Sequence, residues 1–285
     1  MSERTRSRLI QAPHRVRAYL AARESAERPV VLLAADEESA ERYAREARGF
    51  TDGRVVHLPS RGVAYGEVFD PPVERVGRRQ RALHSIEGAS LVLAGPSAYA
   101  ERAPLYEPLE VSGGVVLDPE EGISRLAGLG YTRVDRVSRP GEFAVRGGIV
   151  DVFSSTRRSP VRVEWFGDEV ESVRAVSLAT QRVVRELEAI TVYAAREGDL
   201  ASLAAASDEE LPDEAASGVR TPGLDRLLLE LDPVSPAEIV AERLPGTALW
   251  REESVEGPPG IEGVVEELYD WSEGEADLEF TGRAD

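Results

Sequence analysis

Gly141-Glu142-Phe143-Ala144-Val145-Arg146-Gly147-Gly148-Ile149-Val150-Asp151-Val152-Phe153, followed by Pro160-Val161-Arg162-Val163-Glu164-Trp165-Phe166-Gly167-Asp168-Glu169-Val170, is the stretch that decides how this chain is read. It has the pattern of short strands separated by turn residues. From Val161 the side chains alternate. Val161, Val163 and Trp165 point one way, and Arg162, Glu164 and Phe166 the other. The first set makes an ordinary core face. The second places two opposite charges beside a bare aromatic, a combination found at protein-binding surfaces. The plainer alternative is an exposed sheet face on which Arg162 pairs with Glu164 or Asp168, with Phe166 as an isolated surface aromatic.

Around this stretch the pattern is α+β. Asp118-Pro119-Glu120-Glu121 predicts a helix start, with Asp as N-cap and Pro first inside, ending near Gly128 or Gly130. Short strands follow, turned at Pro140-Gly141, Gly147-Gly148, Ser159-Pro160 and Gly167-Asp168. The first third reads differently. Pro29–Ala34, Val55–Leu58 and Ser90–Ala94 are apolar runs, with helices predicted over Pro13–Arg23, Asp36–Arg48 and Pro72–Ile86. That alternation predicts a parallel sheet. In the last third, Leu224–Leu231 reads as helix and Thr247–Arg251 as a strand.

Charge is uneven along the chain. Residues 1–106 hold 17 Arg and 14 acids (net +3), residues 107–196 hold 12 and 14 (net −2), and residues 197–285 hold 5 and 24 (net −19). The acidic runs, such as Asp208–Glu214, read as solvated loops; the functional alternative is an acidic guard against nucleic acid.

Composition excludes several chemistries. There is no Lys, all 34 basic residues being Arg, and no Asn; a GC-rich genome accounts for both absences. A phosphate-binding P-loop requires its Lys, and so does Schiff-base catalysis. There is no Cys, hence no disulfide or thiolate site. His14, His57 and His84 have no metal-ligand spacing and read as surface or packing residues. No 18-residue apolar run or signal core occurs, so a cytoplasmic protein without membrane contact is expected. No catalytic, cofactor or metal site is expected.

The Arg146-Gly147-Gly148 turn, the strand ending Asp151-Val152-Phe153, Pro160, and the run Arg162–Glu169 resemble the insertion domain shared by UvrB and the bacterial transcription-repair coupling factor. The likeness continues through Glu171–Arg174 and Thr180–Arg182, and more weakly from about Arg15 to Glu253. The resemblance implies an α/β fold: a degenerate, discontinuous RecA-like parallel-sheet domain (1–106 plus 197–285) with an inserted α+β UvrA-interaction domain (107–196). It implies UvrA contacts at Arg146, Arg162 and Phe166, with Glu164 as a secondary contact.

Where UvrB has its P-loop, this chain has Leu9–Arg15, without Gly, Lys, Ser or Thr. Where UvrB has a long DNA-threading hairpin, residues 63–71 are short and hold only Tyr65 and Phe69. Its acidic metal-binding motif survives as Glu252-Glu253, for which a packing role is expected. These departures point to the UvrB-like module of the coupling factor, a non-catalytic adaptor for UvrA. Such an adaptor links stalled RNA polymerase to excision repair. RNA polymerase and DNA would be engaged only through modules absent from this chain, which is expected to be a piece of a longer protein or a naturally short relative. The alternatives are a UvrB-type ATP-dependent helicase fragment, or a nucleic-acid-binding module built on Arg75, Arg78, Arg79 and Arg81. Of these, Arg75, Arg78 and Arg79 can share a helix face.

Overall fold

The computed structural model describes residues 14–64, 67, 69–197, 233–252, 265 and 266. The expected helix at 224–231, the 208–214 acidic run, Leu9–Pro13, Tyr65 and Glu253 lie outside the described residues.

The fold is mixed α/β, with a parallel sheet and a largely antiparallel one. Strands β1 (Val30–Leu33), β2 (Val55–Leu58), β3 (Leu91–Ala94), β12 (Ala248–Arg251) and β13 (Val265–Glu266) form the parallel sheet, in the order β13-β12-β1-β3-β2. Residues before and after the middle third therefore share one sheet, with Val30 opposite Ala248 and Leu33 opposite Arg251. Both faces are covered. Val31, Leu33, Val92 and Leu249 pack with Leu83 of helix α3 (Val73–Ser85), with its C-cap Ile86, and with Val240 of α6 (Pro236–Arg243). Leu32, Leu93 and Trp250 pack with Ala21 of α1 (His14–Glu24) and Tyr43 of α2 (Glu37–Ala47). Two-sided burial is why β1 and β3 are apolar throughout. Polar residues set the helix starts: the Asp36 carboxylate accepts from the Ser39 backbone N–H at 2.7 Å, and Ser235 with Glu238 forms a reciprocal capping box.

The middle third builds its own core. Strands β5 (Thr132–Arg133), β6 (Glu142–Arg146), β7 (Ile149–Phe153), β8 (Val161–Phe166), β9 (Glu169–Val176) and β10 (Val183–Leu187) form a sheet in the order β10-β9-β8-β7-β6-β5. It is antiparallel except for the β5–β6 pair. A second ribbon pairs β4 (Leu109–Ser112) with β11 (Ala189–Val192). Phe143, Val150, Val152, Val161, Val163 and Val173 bury one face against Leu126 and Leu129 at α5 (Pro119–Gly128), and against Val111 and Ile190. A fully buried side chain of this kind contributes about 1.5–3 kcal/mol. The turns at Gly147 and Gly167 both need positive φ, 60° and 62°.

The two sheets meet along α3. Gly77 sits inside that helix, where a Cβ would lie 2.2 Å from the Ser155 hydroxyl oxygen. The helix thus approaches the end of β7 more closely than any side chain permits. Where the chain leaves the middle third, Arg61 and Glu197 form an ion pair at 2.5 Å, with both side chains about 1% exposed.

Candidate protein-docking site

Strand register places all four predicted contact residues on the outer face of the antiparallel sheet. Residues directly opposite across an antiparallel pair share a face. Arg146 lies opposite Ile149, Ile149 opposite Glu164, and Glu164 opposite Ser172, which makes one row across β6 to β9. Asp151, Arg162 and Arg174 make the neighbouring row. The β8–β9 register shifts between Glu164 and Trp165, yet Trp165 stays on the core side, donating from Nε1 to Leu117 O at 2.8 Å. Phe166 remains on the outer face and is 82% exposed.

The charges on this face are held in place. Arg162 donates from Nε and Nη2 to the two oxygens of Asp151, at 2.7 and 2.9 Å. The alternative in which Arg162 pairs with Glu164 or Asp168 is therefore corrected: its partner is Asp151, which sits directly opposite on β7 and is buried. The side chain of Arg162 is only 19% exposed. Its bidentate hydrogen bonding to Asp151 raises the guanidinium pKa, against the opposing effect of burial. Glu164 accepts from Ser172 Oγ at 3.0 Å and Arg174 Nη1 at 2.8 Å. Arg146 is exposed and donates to Asp135 O at 2.7 Å. Loop 134–140, which carries that carbonyl, is pinned by Glu142. Its carboxylate accepts from the Ser138 and Arg139 backbone N–H groups, from Ser138 Oγ and from Arg139 Nε. Burial alone would raise the Glu142 pKa; these hydrogen bonds outweigh it and leave the pKa lowered.

The other predicted features resolve separately. Arg79 does not share an exposed face with Arg75 and Arg78. It is buried and donates to Pro59 O, Ala98 O and Glu101 O. Arg75, Arg78 and Arg81 line a cleft of about 470 Å³ beside β2, where Arg75 Nη1 pairs with Glu37 Oε1 at 2.6 Å. His57 is half-buried in the same cleft, and burial lowers its pKa. His84 Nε2 lies 2.8 Å from Tyr106 O. Glu252 directly follows β12 and ties it to α1, α2 and the end of β1. One carboxylate oxygen accepts from Arg17 and from the Tyr43 hydroxyl, and the other from the Ala35 backbone N–H at 2.6 Å. Burial, then the Glu252 hydrogen bond and charge, push the Tyr43 hydroxyl pKa up. Sequence reasoning does not single out Asp151, Arg174 or Val116 at this face, because their place depends on which strands pair.

The outward face that carries the Arg residues, a carboxylate and a bare Phe on a glycine-turned sheet coincides with a family match. Residues 109–197 match the model described as the UvrB interaction domain. The chain carries a UvrB interaction domain. Beyond that span it is similar to transcription-repair-coupling factors. It is 35% identical to that of Mycobacterium bovis over 196 residues, 64% of this chain and 16% of the relative. It is 31% identical to that of Myxococcus xanthus over 261 residues, 86% of this chain and 21% of the relative. It is also 38% identical over 93 residues to UvrABC system protein B of Staphylococcus saprophyticus, covering 32% of this chain and 14% of that protein. The chain thus spans about a fifth or less of these relatives. Among the described residues, no helix is long and apolar enough to cross a membrane.

Proposed function

We propose that this chain is a non-catalytic adaptor that binds UvrA through the outer face of its UvrB interaction domain, centred on Arg146, Arg162, Glu164 and Phe166. In a longer coupling factor, that contact recruits excision repair to a stalled RNA polymerase, while the polymerase and DNA are engaged by other modules. The observation that carries this reading is the alignment of the four residues on one sheet face, with Phe166 left largely in solvent. An exposed aromatic flanked by Arg is the usual make-up of an interface hot spot. The names of the relatives, transcription-repair-coupling factors and a UvrABC component, agree with it.

The reading extends to the rest of the chain. Residues 1–106 and 197–285 act as a degenerate RecA-like support, and 107–196 as the inserted docking domain. The pairing of β12 with β1 supports the discontinuous division. The absence of any Lys supports a support without ATPase activity. Glu252 fits it too, since its carboxylate is occupied by Arg17, Tyr43 and Ala35.

Titration of the chain with purified UvrA tests the docking, and titration with ATP tests the support. Direct UvrA binding and no ATP binding in the millimolar range are expected. A micromolar ATP constant, equivalent to about −8 kcal/mol, would sink the non-catalytic reading. Failure to bind UvrA would sink the docking reading.

A further inference from the structure

The outer face does not end at Phe166. In the tight β8–β9 hairpin, Phe166 lies opposite Glu169. On the other side of Glu169 lies Val116, joined to it by an antiparallel bridge. The flanking hydrogen bonds define that bridge. Leu117 N–H donates to Asp168 O at 2.8 Å, and Val170 N–H donates to Val115 O at 2.9 Å. This is the non-hydrogen-bonded type of antiparallel pair, in which opposed side chains lie closest and on one face. Phe166, Glu169 and Val116 therefore form a single row across β8, β9 and the segment bridged to β9.

The make-up of the row is unusual for a surface. Val116 is 77% exposed and Phe166 82%, both among the barest large apolar side chains of the described residues. Glu169 between them is exposed, and its side chain makes no hydrogen bond or ion pair with any described residue. In the neighbouring rows, by contrast, Arg162 and Glu164 are matched by Asp151 and Arg174. The backbone beneath Val116 is held on both sides, by the bridge to β9 and by the Trp165 indole donating to Leu117 O. Val116 is thus presented on a braced segment, and little ordering cost remains to be met on binding.

We propose that Val116 and Glu169 extend the docking face, forming with Phe166 an apolar–acidic–apolar row that sets specificity for its partner. The proposal rests on the reading that this face docks UvrA. The complementary surface has two apolar pockets roughly 10 Å apart, two strand spacings, with a basic side chain between them to meet Glu169. Ion pairing at that point would fix the register of the two apolar contacts.

Val116→Asp, Val116→Thr, Glu169→Gln and Phe166→Ala are each titrated against purified UvrA at two salt concentrations, after thermal melts establish that each is folded. Val184→Asp is the control: Val184 is also exposed, at 66%, but lies on β10, outside the row. Val116→Asp is expected to weaken binding tenfold or more, and Val116→Thr, nearly the same shape, severalfold. Glu169→Gln should weaken it and flatten its salt dependence. Val184→Asp should match wild type. If Phe166→Ala weakens binding but both Val116 variants match wild type, the row stops at Phe166 and the proposal fails while the docking reading stands. If Phe166→Ala also matches wild type, the docking reading fails and takes the proposal with it. A loss in Val184→Asp equal to that in Val116→Asp overturns the proposal, because the effect would then not belong to the row.

Discussion

The parallel sheet and the antiparallel sheet use arginine in opposite ways. Around the parallel sheet, Arg61 and Arg79 are buried, and their guanidiniums are spent on Glu197 and on backbone carbonyls. On the antiparallel sheet, Arg162 and Arg174 pair with acids but keep part of their surface in water, and Arg146 is exposed. The difference follows from the layering. A parallel sheet with helices on both faces leaves charge no route to solvent except along its edges and ends. An antiparallel sheet whose core lies on one side leaves, on the other, room for charges to be ordered by cross-strand pairing while several keep part of their surface in water. The first arrangement locks; the second presents.

Arg61→Ala would break this contrast most severely. It leaves the Glu197 carboxylate buried without its counter-charge, and a loss of about 3–5 kcal/mol is expected. Urea denaturation of the folded chain measures it. A loss below about 1 kcal/mol would mean that the pair behaves like a surface one and that the contrast is false.

Phe166→Ala and Arg146→Ala probe the presenting face. Stability should stay within about 0.5 kcal/mol of wild type, while UvrA affinity falls by about 2 kcal/mol or more, roughly thirtyfold. Calorimetric titration against circular-dichroism controls separates the two effects. Loss of Arg146 should also flatten the salt dependence of binding, and loss of apolar Phe166 should not.

Arg162 sits between the two regimes. Because it satisfies the buried Asp151, Arg162→Ala should cost about 1–3 kcal/mol of stability in addition to any loss of binding. Adding Asp151→Asn should recover part of the stability but not the affinity. Recovery of both would make Arg162 a structural residue only. Arg157→Ala and Arg158→Ala, in the adjacent turn, should leave affinity near wild type.

The smallest effect concerns acid. Glu142 has a lowered pKa, so it contributes stability that is complete above the ordinary carboxylate value of 4.5 and is lost as pH falls through its lower folded value. Wild type should therefore lose more stability on acidification than Glu142→Gln over that window, as read by melts at successive pH values. Parallel pH profiles for the two would show that the Glu142 hydrogen bonds do not stabilise loop 134–140.

The outward face proposed for docking was legible in one strand. Alternation from Val161 separates core residues from Arg162, Glu164 and Phe166, because side-chain direction in a strand has period two and depends on nothing farther away. The helix at Pro119–Gly128 and the runs that became β1, β2 and β3 were legible for the same kind of reason: caps, turns and apolar periodicity act over a few residues. What local pattern could not supply was pairing. Asp151 is the partner of Arg162 because β7 lies beside β8 in one particular register. Arg79 is buried because α3 packs where backbone carbonyls from two other segments, at Pro59 and at Ala98–Glu101, converge. Val116 reaches the face only through its bridge to Glu169, across 53 residues of chain. By itself the sequence determined which residues face outward along β8 and which chemistries lack their residues. The tertiary structure alone decided which outward residues are neighbours, since neighbourhood across a sheet is set by long-range register and not by any short run of sequence.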